Sequence, residues 1–139
     1  MARVCLLVVT DGRDGYLRDA LASARTHLTG QVTSVVVVDD SSRTYAARPD
    51  TLTGMPWPET NGPPTIIPAT PAKRGFAGAV QAGWNRIVDD AAWDFVFHLE
   101  DDFTFNERPD LAAMAAILDD NPHLAQVALQ RQPVNQQEI

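Results

Sequence analysis

Residues 4–9, VCLLVV, form an apolar run with no polar alternation, and SVVVVDDSS and DFVFHLEDD repeat the same design further along the chain. A strand that is apolar on both faces has to be covered on both. That requirement points to a parallel sheet layered between helices, because an antiparallel sheet with one wet face would alternate. Each run also ends abruptly in polar residues: TDGRDG after the first, Asp39 and Asp40 after the second, Glu100, Asp101 and Asp102 after the third.

Helical spacing fills the gaps between these runs. Leu17, Ala20, Leu21, Ala24 and Leu28 recur on one face, and Gly30 supplies a stop. In GFAGAVQAGWNRIVDDAAW the spacing predicts a helix with Phe76, Val80, Gly83, Trp84, Ile87 and Val88 facing the sheet. A third helix is expected after NERPD, where Pro109 and Asp110 suit a first turn and Leu111, Met114, Ala115 and Leu118 share a face. NPHLAQVALQ reads as a closing strand. Residues 43–75 are punctuated by nine Pro and Gly positions up to Pro71 and read mostly as loop, with a short strand at TIIP.

Alternating strands and helices define an α/β fold: an open, mostly parallel sheet with helices on both faces, Rossmann-like in class, over a single domain of residues 1–139. In such sheets ligands bind beyond the carboxyl ends of the strands. The three polar clusters should therefore share one crevice.

Composition narrows the partners. Eleven Lys and Arg face 18 Asp and Glu for a net charge of -7, which disfavours binding to a nucleic-acid backbone. No apolar run approaches the roughly 20 residues of a membrane span, and the N-terminus lacks the pattern of a signal peptide, so a cytoplasmic location is expected. The single cysteine, Cys5, excludes an internal disulfide and is expected in the core.

Adjacent carboxylates repel one another and resist ionisation together, so clusters like these call for compensation. A hard divalent cation, Mn2+ or Mg2+, bound to a diphosphate is the simplest supply, since such ions take oxygen ligands from one or two carboxylates and from phosphate. The plain alternative is that the acids are solvated strand ends. A dinucleotide-binding Gly-rich turn is missing, because TDGRDG offers only Gly12 and Gly15 among acids, and no P-loop occurs.

Taken in order, LLVVTDGR, VVVVDDSS, KRGFAGAVQAGWN and FVFHLEDDFTF resemble the nucleotide-sugar-binding half of a GT-A fold glycosyltransferase, most closely the inverting family 2. The resemblance covers nearly the whole chain. It implies transfer of a sugar, with inversion, from a nucleoside-diphosphate sugar to an acceptor hydroxyl, a UDP-sugar being favoured over GDP or dTDP donors. It also implies nucleotide-binding residues: Thr10 and Arg13 lining the base pocket, Asp11 beside them, and Asp40 on the base, Asp39 on the ribose and Ser41 in the same segment. Arg74 and Gly75 would lie at the diphosphate, Asp101 on the ribose or behind the metal, and Asp102 with Glu100 at the metal. The acceptor-binding half, with its acidic general base, is expected outside this stretch, and the acceptor is unassigned. A non-catalytic nucleotide-sugar-binding module, or a remnant needing a partner chain, is the alternative reading, and a homo-oligomer is allowed for.

Each choice has a blander counterpart. Arg13 and Arg74 are otherwise surface charges, and Thr10 a turn residue. His98 is expected as a hydrogen-bonded core histidine. Phe103, Phe105 and Trp84 are expected as core or crevice wall, and Trp57 lies in the Pro-rich loop.

Overall fold

A computed structural model describes residues 2–90 and 92–129. Its elements are β1 (Val4–Thr10), α1 (Asp14–Leu28), β2 (Ser34–Asp39), α2 (Arg48–Thr53), β3 (Thr65–Ile67), α3 (Phe76–Asp90), β4 (Phe95–Glu100) and α4 (Leu111–Asp120). They fall into two compact units, residues 1–109 and 110–139.

The first unit is built on a four-stranded sheet in the order β3-β2-β1-β4. All neighbouring pairs are parallel, so every strand ends on the same edge. The α/β class with a parallel sheet is therefore as the apolar runs require. Register sorts the side chains into two faces: Leu7 pairs with Val36 and with His98, while Val8 pairs with Val37 and with Leu99.

On the first face Cys5, Leu7, Val36 and Val38 pack with Ala79 and Ile87 of α3. On the second, Leu6, Val8, Val35 and Val37 are equally buried, as is the whole Leu17, Ala20, Leu21, Ala24, Leu28 stripe of α1. Phe97 of β4 reaches that side through Phe105, which meets His27 of α1 at 5.9 Å. Helices thus cover both faces. Each such buried Val or Leu contributes about 1.5–3 kcal/mol relative to exposure, which is why the two central strands are nearly pure Val and Leu.

Five expectations need correction. The phase of α3 is turned: Ala79, Gly83 and Ile87 are its buried residues, whereas Phe76, Trp84 and Val88 are exposed. Small residues won over large ones because close approach to the sheet needs them. A Cβ on Gly83 would sit 2.5 Å from Leu7 Cδ1 and 3.2 Å from Val38 Cγ2.

β4 is not a buried central strand either. Among the described residues it pairs only with β1, and of its own residues only Leu99 is buried. His98 is correspondingly exposed rather than in the core, stacked on Phe76 with ring centroids 6.2 Å apart. Partial desolvation lowers its pKa from the ordinary histidine value, against an upward pull from Glu100.

The Pro-rich stretch is less irregular than its composition suggests. It holds β3 where TIIP predicts a strand and also α2, a helix with Pro in its first turn that the sequence reading leaves as loop. Trp57 is buried there, with Nε1 donating to the Leu52 carbonyl at 2.7 Å, so it closes α2 and offers no face for stacking.

In the second unit, α4 starts at the expected place, with Asp110 as N-cap accepting from the Ala113 amide at 3.0 Å. The strand expected over NPHLAQVALQ does not form across 121–129, and Gln130 lies outside the described residues.

Candidate functional site

The parallel sheet delivers Thr10, Asp39 and Glu100, the last residues of β1, β2 and β4, to one edge. Two loops then cross there. Asp40 continues the β1–β2 pairing by donating its amide to the Thr10 carbonyl at 2.8 Å. Gly12, at φ +97°, passes so close to the DDSS loop that a Cβ on it would lie 2.8 Å from Ser41 Cβ, and Ser42 also takes a left-handed φ of 58°. A side chain at position 12 would be excluded both by strain and by space.

Thr10 is fully buried, and its Oγ1 accepts the Gly12 amide at 3.3 Å. Its presence beside Asp101 acts to lower that carboxyl's pKa. Thr10 thus shapes the turn and touches the acidic cluster at once.

Asp101 is enclosed, its side chain 8% exposed. Oδ1 accepts from Arg13 Nη2 at 3.0 Å and Oδ2 from the Asp11 amide at 3.4 Å. Burial raises its pKa, Arg13 pulls it back and the neighbouring Asp11 carboxylate raises it further. For Asp11 itself the loss of hydration acts upward but is outweighed by hydrogen bonds from Arg13, so its pKa lies below the usual carboxylate value. Asp102 is 43% exposed with Oδ2 3.9 Å from Arg13 Nη2, and Glu100 is exposed. Arg13 is therefore the common partner of Asp11, Asp101 and Asp102. Its guanidinium supplies compensation that the linear sequence hides.

The second pair of acids is held differently. Asp39 Oδ1 accepts the Ser41 amide at 3.0 Å and Oδ2 accepts Arg48 Nε at 2.9 Å, with the side chains of Asp39 and Arg48 only 1% and 3% exposed. The carboxylate that the resemblance assigns to a ribose is thus enclosed by the protein. Asp40 Oδ1 accepts the Arg74 amide at 2.7 Å, while the Arg74 guanidinium donates to the carbonyls of Asp39 at 3.1 Å and Pro68 at 2.8 Å. Arg74 pins the 68–75 loop onto the end of β2. Gly75 follows at φ +80°, and its carbonyl accepts the Ala79 amide to open α3.

Sequence reasoning missed Arg48. From α2 it reaches Asp39 and, through Nη1, both oxygens of Asp14 at 2.8 and 2.6 Å. Burial acts to lower its pKa, but the hydrogen bonds it donates to Asp14 and Asp39 outweigh that and raise it, so it stays charged. Its Nη2 is buried with no partner among the described residues. Arg48 also lines a cavity of about 170 Å³ with Asp39, Arg43, Tyr45, Ile66 and Pro68. The signal that points to it is indirect: a carboxylate at the end of a fully buried strand needs a cation from elsewhere in the chain.

A match to the family model described as Glycosyl transferase family 2 runs over residues 5–138. The chain belongs to that family. A comparison with curated proteins finds no match. Family 2 membership entails glycosyl transfer as the general activity, with a nucleotide-sugar donor and an acceptor as its partners. No helix among the described residues is long and apolar enough to cross a membrane.

A divalent metal is the expectation at this edge, and carboxylate oxygens of the chemistry such an ion takes stand there. Among the described residues no three His, Cys, Asp or Glu side chains converge as a metal cage. Asp101 and Asp102 nevertheless offer hard oxygens facing a shared positive charge. One or two carboxylates, with phosphate and water completing the shell, is how magnesium and manganese are usually held beside a diphosphate.

Proposed function

We propose that this family 2 chain binds a nucleoside-diphosphate sugar, a UDP-sugar first among the candidates, at the carboxyl edge of its sheet, and serves as the donor-binding portion of a metal-dependent, inverting glycosyltransferase. The observation that carries the reading is the meeting on that edge of two linked groups, Thr10 with Asp40 and Arg74, and Asp101 and Asp102 with Arg13.

Asp40 accepts a hydrogen bond from the base, as a carboxylate can only accept. Thr10 and Ser41 shape the pocket around it, and Asp11 with Arg13 borders it. Asp39 acts on the ribose side through the loop it fixes, because its own oxygens are taken by Ser41 and Arg48. Asp101 supports the ribose and the metal. Asp102, the more open of the two, is the direct metal ligand, with Glu100 beside it.

Breaking the anomeric bond leaves negative charge on the departing diphosphate. Asp102, with Asp101 behind it, would hold Mn2+ or Mg2+, which would supply Lewis-acid stabilisation of that charge. Arg74 contributes a charge-assisted donor to the same group once it exchanges its carbonyl partners for phosphate.

Calorimetric titration of UDP, GDP and dTDP, with and without Mn2+, on this chain and on Asp102→Ala tests the assignment. Metal-dependent binding lost in the variant is expected. Binding that ignores both metal and substitution would refute the role given to Asp102.

A further inference from the structure

The acidic edge already has a cation, and it belongs to the chain. Arg13 Nε lies 2.9 Å from Asp11 Oδ1, and Nη2 lies 3.0 Å from Asp101 Oδ1 and 3.9 Å from Asp102 Oδ2. One guanidinium therefore faces three carboxylates, of which Asp102 is the metal ligand in the reading above and Asp101 supports it. Its pKa is raised, first by the hydrogen bond to Asp11 and then by the field of Asp101, so it is charged throughout the accessible pH range.

We propose that Arg13 is an internal counter-ion that competes with the divalent cation for Asp101 and Asp102, and that it transfers to the diphosphate when metal and nucleotide bind together. The proposal rests on the metal role of Asp102 and adds a device that couples the two ligands.

Three features support it. A divalent cation and a guanidinium cannot neutralise the same oxygens without repelling one another, so each disfavours the other there. Arg13 is held weakly enough to leave: its side chain is 46% exposed, and ion pairs of that kind are individually weak. Its Cζ also lies 5.2 Å from the Tyr16 ring centroid on the first turn of α1, a contact that does not depend on the acids.

Phosphate oxygens are a better partner than a shared carboxylate for a planar fork of donors. Nucleotide binding would thus draw Arg13 off the acids, and metal would follow. By linkage the metal strengthens nucleotide binding by the same factor. Without nucleotide, Arg13 holds metal affinity down.

The test measures Mn2+ binding to the intact chain by the loss of free-ion EPR signal, with and without UDP, for wild type, Arg13→Gln, Asp102→Asn and the double variant. Arg13→Gln is expected to bind Mn2+ about fivefold more tightly than wild type in the absence of UDP, and UDP should enhance its Mn2+ affinity less than it does for wild type. Unchanged or weaker Mn2+ binding by Arg13→Gln, with Asp102→Asn still abolishing binding, overturns the Arg13 proposal and leaves the metal reading standing. Mn2+ binding that ignores Asp102→Asn in both backgrounds removes the metal reading, and this proposal with it. An independent measurement needs no substitution: in wild type the Arg13 Nε–H resonance, protected by Asp11, should shift and exchange faster on addition of Mg2+ and UDP. A resonance that stays put while both ligands bind would contradict displacement.

Discussion

Arg48→Met isolates the element on which the nucleotide edge is built. The substitution keeps much of the side-chain volume and removes the charge, leaving the Asp39 carboxylate, 1% exposed, without its cation. Removing one partner of a buried pair costs about 3–5 kcal/mol, because the remaining charge has neither water nor a counter-ion. Asp14, at 29% exposure, can recover hydration and adds little to that cost. With a urea dependence of about 1.5 kcal/mol per molar, the loss lowers the unfolding midpoint by roughly 2–3 M. Against a total stability of about 5–15 kcal/mol, that is a large fraction. Tryptophan fluorescence is a suitable probe, since Trp57 is anchored to the carbonyl of Leu52 at the end of α2. The double variant Arg48→Met/Asp39→Asn should regain at least half of the loss, because the stranded charge is gone while the Ser41 amide keeps an acceptor. A midpoint shift below about 0.5 M for Arg48→Met, or no recovery in the double variant, would show that the pair is not the buried brace described above.

Three further outcomes follow from the packing. Gly83→Ala should lower stability by about 1–2 kcal/mol, the overpacking against Leu7 and Val38 exceeding the gain in helix propensity; an unchanged or raised melting temperature would contradict the close approach of α3. Asp110→Ala should weaken the start of α4 by about 1 kcal/mol, seen as faster amide exchange of the first turn, including Ala113; equal exchange would mean the cap is idle. NMR titration should place the His98 pKa below 6.5. Because the folded value is depressed, this group's contribution to stability is complete above the unfolded pKa and is lost as pH falls through the folded one. Phe76→Ala, by opening the ring to water, should move that pKa back up. A His98 pKa at or above the ordinary value in the wild-type chain would contradict the desolvation.

What could be read without coordinates was what depends on local pattern. VCLLVV and VVVV have no polar face, so they had to be central parallel strands, and the sheet order places them there. The shared edge for the polar clusters follows from parallel topology alone. The phase of α3 was not legible, because Phe76, Trp84 and Val88 carry more hydrophobicity than Ala79 and Gly83, and only the distance between helix and sheet decides for the small residues. That β4 has one strand neighbour among the described residues hides in the same way, since FVF reads alike whether one neighbour or two flank it. At the site the acids stood out by their adjacency, but their cations did not. Arg13 is 88 positions from Asp101, and Arg48 sits nine residues from Asp39 in a Pro-rich stretch without periodicity. Charge pairing of this kind is a property of the fold.

The direct measurement is paramagnetic broadening of backbone amides by Mn2+ in the presence of UDP. Selective loss of the signals of Asp11, Gly12, Asp101 and Asp102, fading through Ser41, is the outcome required if metal and diphosphate sit together at the carboxyl edge of the sheet. Broadening centred on any other part of the chain, or spread evenly over its surface acids, would contradict that placement.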